Sequence, residues 1–477
     1  MYNPILDIDS YKASHFNQYP PGTQNVSSYI ESRGGKYSHT IFFGLQRFLS
    51  KYLSKPITQA NIDQAEKFLA AHGLPFNKEG WEYILHEHQG YLPLKIEAVA
   101  EGTLVPASNP MVQVTNTDEK CYWLTSYIET ALLRAVWYPT TVATLSFKNK
   151  QNIYQYFRET SDLAEEDLLN QLSFKLHDFG ARGASSTETS EIGGLAHLVN
   201  FQGTDSILSI LEGQEYYSAC MIGYSIPAAE HSTVTSWGKE NEYQAYEHMI
   251  DQFVVKGGIL SLVLDSYDLN KALDTFIARP DIVAKIKNSG GTLVVRPDSG
   301  DPATIVLEVI TKLDKIFGAS VNSKGYKVLP PYIRLIQGDG VNTNSILKIC
   351  QVLKDNGYSI ENIAFGMGAE LQQKVNRDTC RFAMKASAVK INGEWHDAFK
   401  QPATDSSKTS KKGRLKLVIV DDQLKTVRED DPEYEAYEDQ LKVVFLDGKI
   451  IRTTNFATIR KKAAQYLHTP VEYYADK

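Results

Sequence analysis

The chain has few cysteines and no long apolar run. It contains 4 cysteines among 477 residues, and Cys121, Cys220, Cys350 and Cys380 include no C-x-x-C pair. That spacing excludes a disulfide framework and a cysteine-ligated zinc site, and it is typical of a protein in a reducing compartment. No stretch approaches the roughly 18 consecutive apolar residues that a membrane-spanning helix needs.

An excess of positive charge is also missing. The sequence has 50 Lys and Arg residues against 57 Asp and Glu residues, which gives a formal net charge of -7. This balance argues against nucleic acid as a partner, so an anionic substrate must be held by local clusters of Arg and Lys. The first residues, MYNPILDIDSYKASHF, lack the basic region and long apolar region of a signal peptide. The sequence therefore predicts a soluble, cytoplasmic protein.

Between about residue 172 and residue 385 one pattern recurs. A short apolar run ends in Gly, Asp, Arg or Ser, and a helix-like stretch follows. The seven runs are FKLHDFG (174–180), HLVNFQGTD (197–205), MIGYSIPAAEH (221–231), LSLVLDSYD (260–268), TLVVRPDSGD (292–301), YIRLIQGDG (332–340) and NIAFGMG (362–368). Repeated strand-then-helix units predict a parallel sheet with right-handed crossovers.

The number of units favours an α/β fold with a closed (β/α)8-type barrel over an open doubly wound sheet, which stays the alternative. CRFAMKAS (380–387) supplies the eighth strand in this prediction. Each polar cluster follows its strand, and the carboxyl ends of barrel strands are where such enzymes have their active sites. One intervening helix is well marked, because Asp301 suits its N-cap, Pro302 its first turn and Gly318 its end. The segment ending at Gly357 has the same form.

The two ends of the chain have a different pattern. Residues 91–115 alternate and turn as in an antiparallel sheet, and Asn392-Gly393 and Asp447-Gly448 are strong hairpin signals. Helical segments are predicted at about 119–137 and 144–159, and an exposed loop at 406–414. We therefore predict a discontinuous β-rich domain of residues 1–150 plus 386–477, beside a barrel domain of residues 151–385.

Several strand ends have residues suited to a sugar phosphate. In RPDSGDP (296–302), Arg296 offers a planar fork for phosphate or a carbonyl, and Asp298 can accept from sugar hydroxyls; the alternative is an ordinary capped helix. Two later turns, QGDG (337–340) and GMGAE (366–370), are rich in glycine, which lets backbone N–H groups approach an anion. Asp339 is placed to bind ribose hydroxyls.

Aromatic and acidic residues follow other strands. In HDFGARG (177–183), Phe179 can stack on a flat heterocycle and Arg182 can bind a phosphate, although a buried Phe and a surface Arg would give the same pattern. Asp205 and Asp265 also end strands, where each is either a site residue or a helix cap.

The histidine of PAAEHSTVTSWG (227–238) lies at the same end of the predicted sheet. Imidazole is a fair nucleophile toward phosphorus when a carboxylate fixes its tautomer. Glu230 is adjacent to His231, but adjacent side chains diverge in an extended segment, so either Glu230 or another residue orients the imidazole. A structural histidine remains the alternative at this point.

These motifs resemble one family closely. HDFGARGASS, FQGTDS, GYSIPAAEHSTVTSWG, DSYD, RPDSGDP, GYKVLPPYIRLIQGDGV, SIENIAFGMG and KKGRL, with DSYKASHFNQYPPGT at the start, are similar to the nicotinamide phosphoribosyltransferase family over nearly the full length and in the same order. The resemblance implies a type II phosphoribosyltransferase fold, which is an α/β barrel beside a β-rich domain. It also implies a homodimer whose active sites lie at the subunit interface.

The implied reaction joins nicotinamide and 5-phosphoribosyl 1-diphosphate into nicotinamide mononucleotide and diphosphate, in NAD salvage. Mg2+ is the implied cofactor, held mainly through the diphosphate. ATP is the implied co-substrate, coupled through phosphorylation of His231.

The resemblance also assigns roles to individual residues. By similarity, Phe179 and the partner subunit's Tyr11 would stack on the pyridine ring, and Asp205 would accept from the carboxamide NH2. The other implied substrate-binding residues are Arg182, Asp265, Arg296, Asp298, Gly338, Asp339, Gly368, Ala369 and Arg377. The implied catalytic residues are His231, Asp298, Arg296 and Glu230, and those completing the phosphate site from the second subunit are Arg33, Lys385 and Lys400.

Two features depart from the family pattern. The segment SRGGKYSHT, which contains Arg33, lacks the longer charged insertion of animal members and is short as in bacterial relatives. The late turn has Ala369 and Glu370 where more glycine is expected. A carboxylate at Asp205 predicts preference for nicotinamide over nicotinate, which offers a like charge and no donor. The alternatives to the implied function are a nicotinate phosphoribosyltransferase and a non-catalytic, nucleotide-binding barrel.

Overall fold

The computed structural model describes residues 2–404 and 409–474. The chain divides into two compact units. The first unit comprises Met1–Thr144, Glu212–Cys220 and Val375–Lys477, and the second comprises Leu145–Leu211 and Met221–Lys374. Residues 375–385 and Glu212–Cys220 therefore group with the first unit, whereas the predicted domain boundaries put them in the barrel. No helix among the described residues has the length and apolar character to cross a membrane.

Strands and helices are numbered in chain order. The strands are β1 (Thr23–Ser32), β2 (His39–Ile41), β3 (Leu94–Ala98), β4 (Leu104–Pro106), β5 (Pro110–Asn116), β6 (Leu176–Asp178), β7 (Gly203–Thr204), β8 (Ile259–Val263), β9 (Thr292–Arg296), β10 (Ser320–Val321), β11 (Lys327–Val328), β12 (Ile333–Gln337), β13 (Ile363–Met367), β14 (Phe382–Ile391), β15 (Glu394–Asp397), β16 (Leu415–Val420), β17 (Gln423–Arg428), β18 (Lys442–Leu446) and β19 (Lys449–Ile450). The α-helices are α1 (Leu45–Phe48), α2 (Gln59–Ala71), α3 (Lys78–Glu87), α4 (Leu124–Tyr127), α5 (Glu129–Thr160), α6 (Glu165–Leu172), α7 (Thr187–Leu198), α8 (Ile207–Tyr217), α9 (His231–Thr235), α10 (Glu242–Phe253), α11 (Leu269–Lys271), α12 (Pro280–Asn288), α13 (Pro302–Phe317), α14 (Thr343–Asp355), α15 (Ala369–Gln372) and α16 (Phe456–Ala464).

The second unit is built on a parallel sheet with the strand order β7, β6, β13, β12, β9 and β8. Its strands are short and almost wholly apolar, as expected where helices cover a parallel sheet. Residues 224–228 connect the two outer strands through isolated parallel bridges, from Tyr224 to Gly203 in β7 and from Ala228 to Ser261 in β8. The seven predicted runs correspond to these six strands and this bridging segment.

The prediction that residues 380–387 form an eighth barrel strand is wrong. The segment 380–387 lies in β14, which pairs antiparallel with β1 in the first unit. An apolar, β-prone run does not specify its partner, and the sequence pattern here gave no sign of the change from parallel to antiparallel pairing. The fold is thus α/β with a curled parallel sheet, in which seven segments rather than eight follow one another.

The helix signals of the second unit are confirmed at α13. The Asp301 side chain accepts from the backbone N–H of Thr304, Pro302 occupies the first turn, and the helix ends at Gly318 with φ of 77°. Helix α14 ends at Asp355, and Gly357 follows with φ of 74°. Each helix begins after a short loop that follows its strand, from β9 to α13 and from β12 to α14, so both helix N-termini come after the carboxyl ends of parallel strands.

The first unit contains an antiparallel sheet with the strand order β15, β14, β1, β5, β3, β18 and β19. Both predicted hairpins are confirmed, because Asn392-Gly393 joins β14 to β15 and Asp447-Gly448 joins β18 to β19. All four turn residues have positive φ, as a type I′ turn requires. The predicted antiparallel segment 91–115 forms β3, β4 and most of β5. Of the predicted exposed loop 406–414, residues 406–408 lie outside the described residues.

The two helical segments predicted at 119–137 and 144–159 are largely one helix. Helix α5 runs without interruption through Pro139. Thr141 and Thr144, in the turn after the proline, donate from their hydroxyls to the carbonyls of Trp137 and Thr140 one turn earlier, at 2.6 Å each. A proline inside a helix removes one hydrogen bond and usually ends the helix, which is why the sequence pattern divided it.

Candidate active site

The polar residues that follow the parallel strands lie at one edge of the sheet in the second unit. His231 begins α9, and its side chain is 45% exposed. Its Nδ1 lies 3.1 Å from Ser266 Oγ, and its Nε2 lies 3.4 Å from Asp298 Oδ2 and 3.9 Å from Asp265 Oδ1. A hydroxyl on one nitrogen and two carboxylates beside the other define the orientation of the ring. His231 is therefore half-exposed among polar groups, and it is not a packed core histidine.

Asp265 supports the loop opposite this imidazole. Its side chain is only 4% exposed, and Oδ2 accepts from the backbone N–H of Asp298 at 2.8 Å and from Ser299 Oγ at 2.6 Å. Oδ1 is buried and makes no hydrogen bond within the described residues. A buried carboxylate oxygen without a donor is costly, so this atom is suited to bind something that the protein itself does not supply.

Arg296 and Asp298 extend the cluster away from the histidine. Arg296 Nη2 lies 3.6 Å from Asp298 Oδ2, and its Nε is buried without a hydrogen-bond partner in the described chain. The guanidinium can thus donate to a carbonyl or phosphate oxygen. Glu230, predicted as a catalytic residue, is exposed and accepts from Ser232 Oγ at the start of α9. The structure gives Glu230 no contact with the imidazole of His231.

Phe179 lies on the other side of the same cluster. A Cβ built on Gly338 would lie 3.4 Å from the Phe179 ring and 3.7 Å from Asp298 Oδ1, so the ring and the carboxylate flank one backbone position. A Cβ on Gly366 would overlap the Phe179 ring itself. Gly366, in β13, is therefore required to leave room for the aromatic plate. The pattern of GMGAE predicts only phosphate binding for its glycines.

The loop with Arg182 packs against the loop that begins α15. A Cβ on Gly183 would lie 2.9 Å from Ala369 Cβ, and Gly180 is equally close to the carbonyl of Gly368. Arg182 itself is exposed. The structure thus brings together Arg182, Gly368 and Ala369, three of the predicted phosphate-binding residues, on adjacent loops.

Asp205 and Asp339 are both exposed at strand ends. Asp205 Oδ1 accepts from Ser225 Oγ at 2.6 Å, which leaves its second oxygen available to a ligand. The backbone carbonyl of Asp339 accepts from Gln337 Nε2 at 2.8 Å. The Asp339 carboxylate makes no ion pair among the described residues. The helix after Asp205 begins at Ile207 and the helix after Asp265 is capped by Asp268, so the capping alternative is excluded for Asp205 and Asp265.

A cavity of about 840 Å³ opens at this edge and continues inside the curled sheet. Phe179, Arg182, Asp205, Glu230 and Arg296 line its outer part. One aromatic face, two guanidinium groups and two carboxylates around an enclosed space are suited to a polar heterocycle joined to an anionic group.

Two further cations, Lys175 and Arg334, line the cavity, and both are bonded to the protein backbone. Lys175 Nζ donates to the carbonyls of Ile360, Glu361 and Ile363 at 2.9–3.0 Å, and burial lowers the pKa of Lys175 to about 7. Arg334 likewise donates to three backbone carbonyls. Both cations already bind backbone acceptors at the amino ends of β13 and β12, which is a structural role.

Four predicted site residues lie in the first unit, at or near β1 and β14. Arg33 pairs with Glu31 at 2.9 Å, and Lys385 lies on β14. The pKa of Lys385 is lowered by burial and also by the positive charges of Arg33, Lys12 and Lys400. The structure therefore gathers Arg33, Lys385 and Lys400 into one basic cluster. Arg377 is more than half exposed and pairs with Asp378 at 3.0 Å.

Tyr11 is also a residue of the first unit. Its side chain is 57% exposed, and its ring meets His15 edge-on at 5.0 Å between centroids. An exposed aromatic ring held by a neighbouring ring is available for stacking on a partner or ligand.

The carboxylate oxygens beside His231 fit a magnesium ion. Mg2+ prefers oxygen ligands, and the unpartnered Oδ1 of Asp265 and Oδ2 of Asp298 both approach His231 Nε2. Among the described residues, one group of three His, Cys, Asp or Glu side chains is spaced for a metal, namely His88, Asp118 and Cys121 of the first unit. Asp118 there already accepts from the Tyr83 hydroxyl at 2.9 Å, and burial raises the pKa of Cys121 to about 12, so this group is explained by internal bonding.

Comparison with known proteins identifies the architecture around this site. Residues 174–448, more than half of the chain, match the family model described as "Nicotinate phosphoribosyltransferase (NAPRTase) family". The chain belongs to the nicotinate phosphoribosyltransferase family. Residues 3–96 match a second model, "Nicotinamide phosphoribosyltransferase, N-terminal domain". The matched ranges include every predicted site residue of the second unit, together with Tyr11 and Arg33.

Members of this family similar to the chain over its whole length have a consistent name. A nicotinamide phosphoribosyltransferase of Xanthomonas campestris is 47% identical over 468 residues, which cover 97% of this chain and 98% of that protein. One from Acinetobacter baylyi is 32% identical over 502 residues, covering 98% of each.

Solved structures support the fold. Nicotinate-nucleotide pyrophosphorylase from Pyrococcus furiosus superposes with a TM-score of 0.61 at 13% identity, over 98% of this chain and 96% of that one. Human nicotinic acid phosphoribosyltransferase gives a TM-score of 0.55 at 16% identity, over 96% and 93%. Identities this low show a shared fold and leave the choice of substrate to the side chains of the site.

Proposed function

We propose that this member of the nicotinate phosphoribosyltransferase family transfers the phosphoribosyl group of 5-phosphoribosyl 1-diphosphate to nicotinamide, giving nicotinamide mononucleotide and diphosphate in NAD salvage. The observation that supports this most is the cluster at the carboxyl edge of the sheet. Phe179 and Asp205 line one part of the cavity, and Arg296 with Asp298 lies beside them. An aromatic plate with a carboxylate acceptor suits nicotinamide, and the guanidinium and acid suit a ribose phosphate.

The residues act on charge that develops in the reaction. The bond from the anomeric carbon to the diphosphate oxygen breaks, its electron pair leaves with the diphosphate, and the pyridine nitrogen forms the new bond to that carbon. Asp298 and Asp339 would hold the ribose hydroxyls, while Arg182 and Arg296 would stabilise the departing anion. Phe179 would hold the pyridine ring against the anomeric carbon. Bound Mg2+, at Asp265 and Asp298, would add positive charge beside the diphosphate.

The proposal includes ATP coupling through His231. The γ-phosphoryl group would pass to an imidazole nitrogen as ADP leaves, and water would later cleave the phosphohistidine. Ser266 on Nδ1 and the carboxylates near Nε2 support this role, because they define the tautomer and orientation of a half-exposed ring. A phosphate added here would favour binding of Mg2+ and of the phosphoribosyl donor.

We further propose a homodimer with shared sites. Tyr11 and the basic cluster of Arg33, Lys385 and Lys400 belong to the first unit, and Tyr11 presents an exposed ring. These residues would complete the site of a second copy, with Tyr11 on the second face of the pyridine ring.

The second candidate is a nicotinate phosphoribosyltransferase, because solved structures with this fold have that name. Asp205 argues against it. A buried nicotinate carboxylate facing Asp205 would place like charges together, whereas the carboxamide of nicotinamide donates to it. We therefore expect kcat/KM for nicotinamide to exceed that for nicotinate by about a hundredfold or more.

The purified chain tests these proposals in one assay. It is mixed with 5-phosphoribosyl 1-diphosphate, Mg2+ and either nicotinamide or nicotinate, with and without ATP, and the mononucleotide is measured. We expect nicotinamide mononucleotide, formed faster with ATP, and His231→Ala to abolish both the ATP stimulation and the substrate-stimulated ATPase. His248→Ala, on the exposed face of α10, is the matched control and should keep both. Equal use of nicotinate would favour the second candidate, and absence of any product would favour a non-catalytic barrel.

A further inference from the structure

Asp178, the last residue of β6, connects three loops of the proposed site although no substrate contact is assigned to it. It is 0% exposed. Its backbone carbonyl accepts from the N–H of Asp205 at 3.0 Å, and the next residue, Phe179, donates from its N–H to the carbonyl of Met367 at 2.9 Å. The backbone around Asp178 is thus tied to the ends of β7 and β13.

The carboxylate extends these connections. Oδ1 accepts from the N–H of Gly180 at 2.8 Å, within the loop of Phe179 and Arg182. Oδ2 accepts from Ser206 Oγ at 2.6 Å and from Gln372 Nε2 at 2.7 Å. The Gln372 amide also reaches Ser206 Oγ at 3.2 Å, so the four side-chain and backbone groups form one network. Each oxygen of the buried carboxylate therefore has a donor.

Each donor belongs to a loop with a different proposed substrate contact. Gly180 follows Phe179, which would stack on the pyridine ring, and Ser206 follows Asp205, which would bind the carboxamide. Gln372 ends α15, which begins directly after Gly368 at the proposed phosphate contact. One negative charge is thus bonded to the ring, carboxamide and phosphate loops at once.

The space around this carboxylate is closed. A Cβ on Gly194, in α7, would lie 3.0 Å from Asp178 Oδ2, and a Cβ on Gly180 would lie 2.8 Å from Gln372 Cγ. A side chain larger than glycine at either position would collide with the network, so the carboxylate and its donors are closely packed.

We propose that Asp178 is a positioning residue that sets the distance between the nicotinamide and phosphoribosyl parts of the site, through Ser206 and Gln372 respectively; the inference rests on the proposed function. The hydrogen bonds from Ser206 and from Gln372 predict different effects on the two substrates. Loss of the Ser206 hydrogen bond loosens the loop of Asp205, whereas loss of the Gln372 hydrogen bond loosens the loop of Gly368. Small displacements of groups that position reactants cost rate and affinity steeply.

The test measures KM for each substrate separately in three variants. Ser206→Ala should raise KM for nicotinamide about tenfold with KM for 5-phosphoribosyl 1-diphosphate changed less than about twofold, and Gln372→Leu should show the reverse. Asp178→Asn keeps the size of the side chain but replaces one acceptor oxygen by a donor. It should raise both KM values by about tenfold or more, together with a fall in kcat.

A matched control separates positioning from stability. Thr160→Val removes a buried hydroxyl that donates to the carbonyl of Tyr156 and accepts from the N–H of Ile360, near the amino end of β13. It should lower the melting temperature as the three variants do and leave both KM values unchanged. If Asp178→Asn, Ser206→Ala and Gln372→Leu lower the melting temperature but keep wild-type KM values, Asp178 is merely structural and the inference is overturned. Equal changes in both KM values for Ser206→Ala and Gln372→Leu would overturn it as well.

The wild-type chain in the same assay distinguishes the two proposals. If it forms no mononucleotide from nicotinamide, the proposed function is wrong and the inference falls with it. If it is active, the variant KM values decide on Asp178 alone.

Discussion

Two buried carboxylates at the same edge of the sheet differ in how fully the protein satisfies them. Asp178 has hydrogen-bond donors on both oxygens, all from the protein. Asp265 has two donors on Oδ2 and none on Oδ1, which lies 3.9 Å from His231 Nε2. Burial penalises a charged carboxylate in either place. In Asp178 that penalty is offset within the fold, although burial still raises the pKa of the group.

The difference indicates what each group does. A fully bonded carboxylate resists movement and fixes the loops from which its donors come. A carboxylate with one unbonded oxygen, such as Asp265, retains an acceptor for a cation, a proton or a phosphorylated imidazole. Binding of such a ligand would offset the remaining free-energy cost of burying the charge. At one edge of the sheet, Asp178 is thus suited to positioning and Asp265 to chemistry. Variants of the two residues and of their neighbours test this distinction.

The largest effect is expected from Asp265→Asn. The amide can still accept from the N–H of Asp298, so the loop is retained, but the negative charge facing His231 is lost. We expect ATP-stimulated turnover to fall about a hundredfold, with a smaller fall in the ATP-independent rate.

The control for this variant is a substitution of another aspartate in the loop that follows β8. Asp268→Asn preserves the cap of α11, where Asp268 accepts from the N–H of Lys271 at 2.9 Å, and should leave ATP stimulation intact. If Asp265→Asn lowered the rates with and without ATP equally, Asp265 would belong with Asp178 as a positioning group.

A smaller effect, of about ten- to a hundredfold, is expected for specificity at Asp205. Asp205→Asn removes the like charge that repels nicotinate and weakens the acceptor for the carboxamide, so the ratio of kcat/KM for nicotinamide to that for nicotinate should fall. Ser225→Ala, which removes the donor to Asp205 Oδ1, should change the ratio only a few-fold. An unchanged ratio in Asp205→Asn would place the discrimination elsewhere.

The sequence was sufficient to predict where the second-unit residues lie along the fold. Short apolar runs followed by polar residues gave the strand ends, and the parallel arrangement then implied that His231, Arg296 and Asp298 share one edge. The structure shows that they do. Periodicity and turn chemistry are local, which is why the caps of α13 and the hairpins of the first unit were also predicted correctly.

What the sequence did not give depends on tertiary partners. The pairing of β14 with β1 joins residues at least 350 positions apart, and no local pattern specifies it. Asp178 was overlooked because a single aspartate in HDFG has no signature of burial. The role of Gly366 was also missed, since the need for glycine there arises from the Phe179 ring and not from its own turn.

Gly366→Ala tests that close approach and has a moderate expected effect. The added methyl group would overlap the Phe179 ring, so the ring must move from its place in the site. We expect KM for nicotinamide to rise about tenfold, with little change for the phosphoribosyl donor. Phe179→Ala supplies the control, because Gly366→Ala should add no further increase when the ring is absent. Additive effects in the double variant would mean that Gly366 acts otherwise than through Phe179.

The smallest effect concerns a third buried carboxylate, in the first unit, that has one unbonded oxygen like Asp265 but has no imidazole beside it. Glu101 Oε1 accepts from the N–H of Gln46 at 2.7 Å, while Oε2 makes no hydrogen bond among the described residues. Burial raises the pKa of Glu101 to about 7, although the nearby N–H groups of Gln46, Gly44 and Leu45 and the Tyr217 hydroxyl act in the opposite direction.

Between its ordinary pKa and about 7, the folded chain keeps a proton on Glu101 that the unfolded chain has lost. Stability from this group is therefore present at low pH and is lost as the pH rises through about 7. Glu101→Gln removes the dependence, so its melting temperature relative to the wild type should be higher at about pH 8 than at about pH 5, by about 2 °C or more. Glu66→Gln, on an exposed pair with Lys78, is the control and should show no such trend. A Glu101→Gln variant that loses stability equally at both pH values would show that an unbonded carboxylate oxygen carries no cost in this fold, and the inference from Asp265 Oδ1 to a bound ligand would lose its physical basis.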